Sequence, residues 1–188
     1  MRSQIWVEGR IEPNAATFRN YLTELRASLP PETLVRDVYR YSLTGEIATD
    51  WGAFCALIDD DRNAERLSEA LALIRGTPFE AASSGRNSPY AWCTELTHRI
   101  EASVERFAHE LATSAIDSGD PVFADAAVTR ALKCVPSSFL VREDHIRLGF
   151  AIGGQRELER RMTAARVALG NDIAVLEPIA LGLGWVRS

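Results

Sequence analysis

Four residues on one face of a candidate helix carry the clearest chemistry in this chain. Arg19, Thr23 and Arg26 fall within about 60° of arc at 3.6 residues per turn, and Asn20 lies beside them. Arginine presents a donor fork suited to phosphate oxygens and the guanine edge, and asparagine suits the adenine edge. Such a face either meets nucleic acid or is a solvated helix surface. Arg36 and Arg40 follow in a stretch of strand character, where they could touch a phosphate backbone or simply face water.

The other reactive residue types form no catalytic or ligating pattern. His98 and His109 share a helix side but stand three turns apart, too far to share a metal. His145 falls on the Val141–Leu148 apolar stripe and reads as a core or boundary histidine. Asp59-Asp60-Asp61 lacks the alternating spacing of a calcium loop and better favours the start of the next helix. Gly153-Gly154 lacks the Lys-Ser/Thr of a phosphate loop and reads as a turn between helices. There is no HExxH, no CxxC pair and no GxSxG serine. The expectation is a protein with no metal, no cofactor and no enzymatic activity. Tyr90 and Trp92 follow a polar loop; exposed, they would anchor a partner, and turned inward, which packing favours, they would plug the end of a core.

The elements that must position these groups follow from periodicity. Pro13-Asn14 starts a helix over 15–29, with Phe18, Leu22, Leu25 and Leu29 on one face, and Pro30-Pro31 ends it. Residues 33–43, rich in β-branched and aromatic types, predict one or two strands with a tight turn near Asp37. From Thr49 onward the pattern is helical: 50–58, 62–74, 91–118, 121–133, 138–152, 155–168 and 173–183, with a polar loop over 80–89. Gly119 and Gly153 are 34 positions apart, the tetratricopeptide period. The same shift pairs Ile116 with Phe150, Val128 with Met162 and Ala131 with Ala165. A helix pair cannot bury its apolar stripe alone and so stacks on a copy of itself. Ala126, Ala127 and Ala131 are expected to let such helices approach closely.

Hydrophobic residues at 46 % and charged residues at 25 % suit a globular protein. The net charge of −5 is uneven. Residues 1–44 hold six arginines against five acidic residues, so the rest carries −6, and only the N-terminal part suits a phosphate backbone. Cys55, Cys93 and Cys134, odd in number and scattered, suit a reducing compartment. No apolar run approaches the roughly 20 residues of a membrane span. No secretion signal opens the chain either, so the cytoplasm is expected, without membrane contact.

Several stretches carry a family resemblance. DWGAF (50–54), IRGTPF (74–79), Tyr90-Ala91-Trp92 and ELATSAIDSGD (110–120) occur in order and at natural spacing. Together they resemble the bacterial transcriptional activator domain of Streptomyces antibiotic regulatory protein type regulators, over most of 49–183. Ile5-Trp6, ATFRNYLTELRASL (16–29) and VRDVYRYSL (35–43) are similar to the second half of the winged helix that precedes that domain. Arg40 stands where the family usually has glycine, and the first strands and first helix of a winged helix have no counterpart here.

The resemblance implies a mainly α fold: a partial winged helix-turn-helix with a small β-hairpin over 1–45, then a tetratricopeptide-like helical-repeat domain over 46–188. It implies an effector and dimerisation domain of a transcription regulator, with Arg19, Asn20, Thr23, Arg26, Arg36 and Arg40 facing DNA in the complete parent protein. RNA polymerase or another regulator is the implied protein partner. The alternative is a helical-repeat adaptor without DNA binding, and a weaker third reading is a small-ligand sensor with a pocket between helices. A homodimer is expected, because Phe18, Tyr21 and Leu22 lack their usual winged-helix partners and Ile179, Leu183 and Trp185 would form a second sticky face at the C-terminal end.

Overall fold

A computed structural model describes residues 15–38, 40–44, 48–59, 63–80 and 91–186, with the backbone alone for Ala15, Ala91 and Trp92. Among the described residues the protein is mainly helical with one two-stranded antiparallel sheet. Contacts divide it into two compact units, Met1–Thr49 with Ala81–Leu96 and Asp50–Glu80 with Thr97–Ser188. Ile5, Trp6, Pro13, Asn14, Asp60, Asp61, Tyr90 and nearly all of the 80–89 loop lie outside the described residues.

In the first unit, α1 (Ala15–Ser28) stops before Pro30, which has no N–H to continue a helix. The chain then turns through Glu32, at φ +66°, into β1 (Leu34–Arg36) and β2 (Tyr41–Leu43). The strands pair Leu34 with Leu43, Val35 with Ser42 and Arg36 with Tyr41. The Asp37 N–H donates to the Arg40 carbonyl at 2.8 Å, which places the tight turn where composition put it. Thr44 Oγ1 donates to the Glu32 carbonyl at 2.7 Å and closes the base of the hairpin.

The second unit is built from α2 (Asp50–Asp59), α3 (Ala64–Ala72), most of α4 (Ala91–Ser118), α5 (Pro121–Cys134), α6 (Phe139–Leu169), a 3-10 turn (Gly170–Val175) and α7 (Glu177–Gly182). Side-chain caps start three of these helices: Asn63 accepts from the Arg66 N–H, Asp120 from Phe123 and Ser138 from Val141. Asn63 also explains why α3 begins later than the apolar pattern alone suggests. Phe54 and Ile58, Leu67 and Leu71, Val104, Phe107 and Leu111, and Val128 and Val141 meet in one core. Burying each of these larger side chains is worth roughly 1.5–3 kcal/mol. Ala127 and Ala131 are buried on α5 as expected, but Ala126 is exposed and Ala124 takes the third inward position. One residue along a helix turns a side chain by about 100°.

A second core gathers Ile146, Leu158, Met162, Ala165, Ile173, Leu176, Ala180 and Trp185. It joins the two halves of α6, which Gly153 and Gly154 separate; Gly154 sits at φ +59° and breaks the helix at the expected turn. The expected last helix over 173–183 is instead the 3-10 turn followed by short α7. Pro178 cannot donate within a continuous helix and sits in the first turn of a new one.

The expected sticky face at the C-terminal end is overturned. Trp185 is only 7 % exposed, and Ile179 and Leu183 are half-buried against the second core. Gly184, at φ +89°, reverses the chain. Its N–H donates to Leu181, and the Trp185 N–H to Ala180, each at 2.9 Å. This is the Schellman pattern, which folds the residue after the glycine back onto its own helix.

One buried charge ties these helices together. Arg161, on the second half of α6, is 2 % exposed. Its guanidinium donates to Asp125 Oδ1 on α5 at 2.6 Å and to the His145 carbonyl on the first half of α6 at 2.7 Å. Gly149 leaves the space it occupies, since a Cβ there would overlap the Arg161 side chain. Gly149→Ala is therefore expected to destabilise the protein by about 2–4 kcal/mol in urea unfolding. Gly182→Ala, facing open space on a helix, should be neutral or stabilising by up to about 1 kcal/mol. Equal effects of the two would show that Arg161 is not pinned.

Candidate functional site

The basic residues of the first unit are placed by α1 and the hairpin. Arg19, Asn20, Thr23 and Arg26 are all exposed on α1, while Phe18, Leu22 and Leu29 on the neighbouring arc are half-buried. Arg36 and Arg40 are exposed at the two sides of the hairpin turn. The Arg26 guanidinium lies 5.6 Å from the centre of the Tyr41 ring and that of Arg36 5.9 Å from it. One tyrosine thus gathers a helix arginine and a strand arginine, a convergence that helical spacing cannot reveal. Thr23 fits a donor role less well, because its hydroxyl already donates to the Arg19 carbonyl at 2.9 Å. It keeps lone pairs to offer, which suit a base amino group but not a phosphate. The side chains of Tyr90 and Trp92, read as partner anchors or core plugs, lie outside the described residues. Trp185 is a core residue with the Arg166 guanidinium 5.9 Å from its ring centre, so it offers no exposed anchor.

In the second unit, DWGAF and IRGTPF converge on a cleft of about 330 Å³. Trp51 and Phe54 from α2 stack with centroids 5.3 Å apart, and Ile100 and Val104 from α4 line the same space. Arg75 Nη2 reaches Asp50 Oδ1 at 3.1 Å, and both side chains are mostly exposed. Phe79 lines the cleft with its backbone at φ +57°, a left-handed conformation unusual for a bulky residue. Thr77 Oγ1 donates to the Lys133 carbonyl at 3.4 Å and ties this loop to the end of α5. Cys134 also borders the cleft; burial pushes its thiol up to about 12, assisted by Glu101 and Glu105, so it stays protonated. The motifs were visible in sequence, but that they share one cavity was not.

The histidines also find their places. His145 is half-buried within 3.4 Å of Thr129 Oγ1, and burial together with nearby Arg161 lowers its pKa to about 4. It is neutral at pH 7, in keeping with a boundary position. His98 is exposed. His109 Nδ1 lies 3.0 Å from both carboxylate oxygens of buried Asp144, a pairing across α4 and α6 that spacing gave no sign of. Among the described residues no group of three His, Cys, Asp or Glu side chains could hold a metal ion. No described helix is long and apolar enough to cross a membrane. Comparison with protein-family models, curated proteins and solved structures gave no match.

Asp144 makes the interior pH-sensitive. Burial raises its pKa from 3.8 to about 6; the His109 hydrogen bond and Arg147 oppose the rise and Glu143 adds to it. The folded protein therefore holds a proton that the unfolded chain releases. The stability this contributes is complete below about pH 4 and is lost as the pH rises through about 6. Asp144→Asn keeps the shape without the buried charge. Relative to the native protein, it should gain on the order of 2 kcal/mol in urea unfolding between pH 4 and pH 7.5. A constant difference across that range would place Asp144 near its ordinary value.

Proposed function

We propose that this chain is the effector and dimerisation part of a bacterial transcription regulator, with a winged-helix segment over 1–45 and a tetratricopeptide-like body over 46–188. The observation that carries the DNA-facing part is the convergence of Arg26 and Arg36 over Tyr41, with Arg19 and Asn20 exposed on the same helix. A helix followed at once by a hairpin, both bearing exposed arginines, is what a winged helix offers to a groove and its flanking phosphates. The repeat reading is supported by helix placement. Shifted by 34 residues, α5 (Pro121–Cys134) coincides with the helical stretch 155–168 after the Gly153–Gly154 break. Val128 and Met162 are both buried, as are Ala131 and Ala165. The resemblance noted for 49–183 supplies the link to transcription, with RNA polymerase or another regulator as partner. The role is regulatory, not enzymatic, and its setting is the cytoplasm.

A second reading, an adaptor without DNA binding, is favoured by Val122 and Phe123 at the start of α5 and Phe139 and Leu140 at the start of α6. All four are exposed apolar side chains of the kind that seek a protein partner.

Binding to duplex DNA separates the two. The charge of −6 outside residues 1–44 opposes phosphate. The chain alone should therefore bind duplex weakly and without sequence preference, with Kd about 10⁻⁴–10⁻⁶ M at physiological salt. Arg19→Ala and Arg26→Ala should each weaken binding and flatten its log–log salt slope by about 1. Tight, sequence-selective binding in a fluorescence-anisotropy titration would overturn the weak-binding expectation; no binding at low salt would favour the adaptor.

Self-association belongs to the same proposal. Tyr21 is 53 % exposed and Leu25 43 %, beside half-buried Phe18 and Leu22, so α1 keeps an apolar strip for a second copy. With Trp185 buried, α1 and not the C-terminal end carries this expectation. Light scattering over a dilution series should give a dimer mass at tens of micromolar, and Tyr21→Glu with Leu25→Glu should give a monomer. A monomeric native protein would end the dimer reading.

A further inference from the structure

The cleft between the two motifs is lined by residues of the second unit alone. Its volume of about 330 Å³ lies near the lower end of the roughly 300–1,000 Å³ range of small-molecule pockets, so it suits a ligand of amino-acid size. The wall is aromatic and aliphatic: stacked Trp51 and Phe54, with Ile100 and Val104 beside them. The charged residues that line it are Asp50 and Arg75, joined by a single 3.1 Å hydrogen bond and mostly exposed, with the Glu80 carboxylate near Gly76 beside them.

We propose that this cleft binds a free α-amino acid with an aromatic or large apolar side chain. The side chain lies against partly buried Trp51 and Ile100, with buried Phe54 and Val104 behind them, the carboxylate pairs with Arg75 and the ammonium with Asp50.

The charge pattern decides the ligand class. An exposed pair held by one hydrogen bond contributes little to folding, so opening it for a ligand loses little. An apolar acid would answer Arg75 but bring its charge beside Asp50, and an apolar amine would do the reverse. A zwitterion answers both, with its two charges on one carbon, close together as the rim groups are. Only one Arg75 donor is engaged with Asp50, which leaves the rest of the fork for a carboxylate. Phe79 borders the same cleft with its backbone at φ +57°. Protonated Cys134 adds a neutral, unreactive patch to the wall.

The test uses the full chain and three probes, L-phenylalanine, 3-phenylpropionate and phenethylamine. Calorimetric titration should show L-phenylalanine binding roughly tenfold or more tightly than either analogue, and binding should change the tryptophan emission. Near ten times its Kd, L-phenylalanine should raise the unfolding midpoint by about 3 °C or more. Arg75→Ala and Asp50→Asn alter exposed side chains, so they should keep the native circular dichroism while weakening L-phenylalanine binding roughly tenfold. No binding at millimolar L-phenylalanine, equal affinity for all three probes, or unchanged affinity in both variants would each overturn the proposal. None of these results depends on DNA binding, so the regulator reading stands or falls separately.

Discussion

A guanidinium removed from water must be met by acceptors on every side, and in this protein that demand fixes how three helical stretches sit. Arg161 comes from the second half of α6, Asp125 from α5, and the His145 carbonyl from the first half of α6. Apolar stripes tolerate sliding by a turn at modest loss, because one aliphatic contact replaces another. The Arg161 bonds do not, since a one-turn slip strips a buried charge of its Asp125 and His145 partners and leaves it only Glu157 on its own helix, which typically costs several kcal/mol. Gly149 is the matching allowance on the facing helix. The Gly153–Gly154 break is what lets α6 fold back so that both of its halves reach the same guanidinium.

Asp144 and His109 show the same principle in a less closed setting. Asp144 is 3 % exposed, yet its partner reaches water, so the pair bridges the core and the surface. Arg142 adds a third buried polar group, donating twice to the Pro136 carbonyl where α5 gives way to α6. Among the described residues no buried side-chain nitrogen or oxygen lacks a hydrogen-bond partner. The helical unit is therefore a conventional apolar core whose helix register is set by a few satisfied polar contacts. A body of that kind can hold a cleft open at its surface, because the helices lining it do not depend on filling it.

The two surfaces with chemical character lie in different units and answer to different physics. The arginine face on α1 and the hairpin is long-range and salt-sensitive, set by net charge and exposure. The motif cleft is short-range, set by shape, aromatic packing and one exposed ion pair.

Much of this was determined by sequence alone. Proline and glycine punctuation together with apolar periodicity placed α1, the hairpin turn, α4, α5 and the break in α6, because backbone geometry at such residues is a local property. The exposure of Arg19, Asn20 and Arg26 followed from the same periodicity. The tertiary structure decided what depends on distant partners. It brought Arg26 and Arg36 to one ring, joined His109 to Asp144 and Asp125 to Arg161, and set Asp50 and Arg75 across a shared cleft. It also turned Trp185 inward; the Gly184-Trp185 step after an apolar helix was a readable local signal, but the core that receives the indole is assembled from α6 and the 3-10 turn. Periodicity says which side of a helix faces inward, and only the packed chain says what waits there.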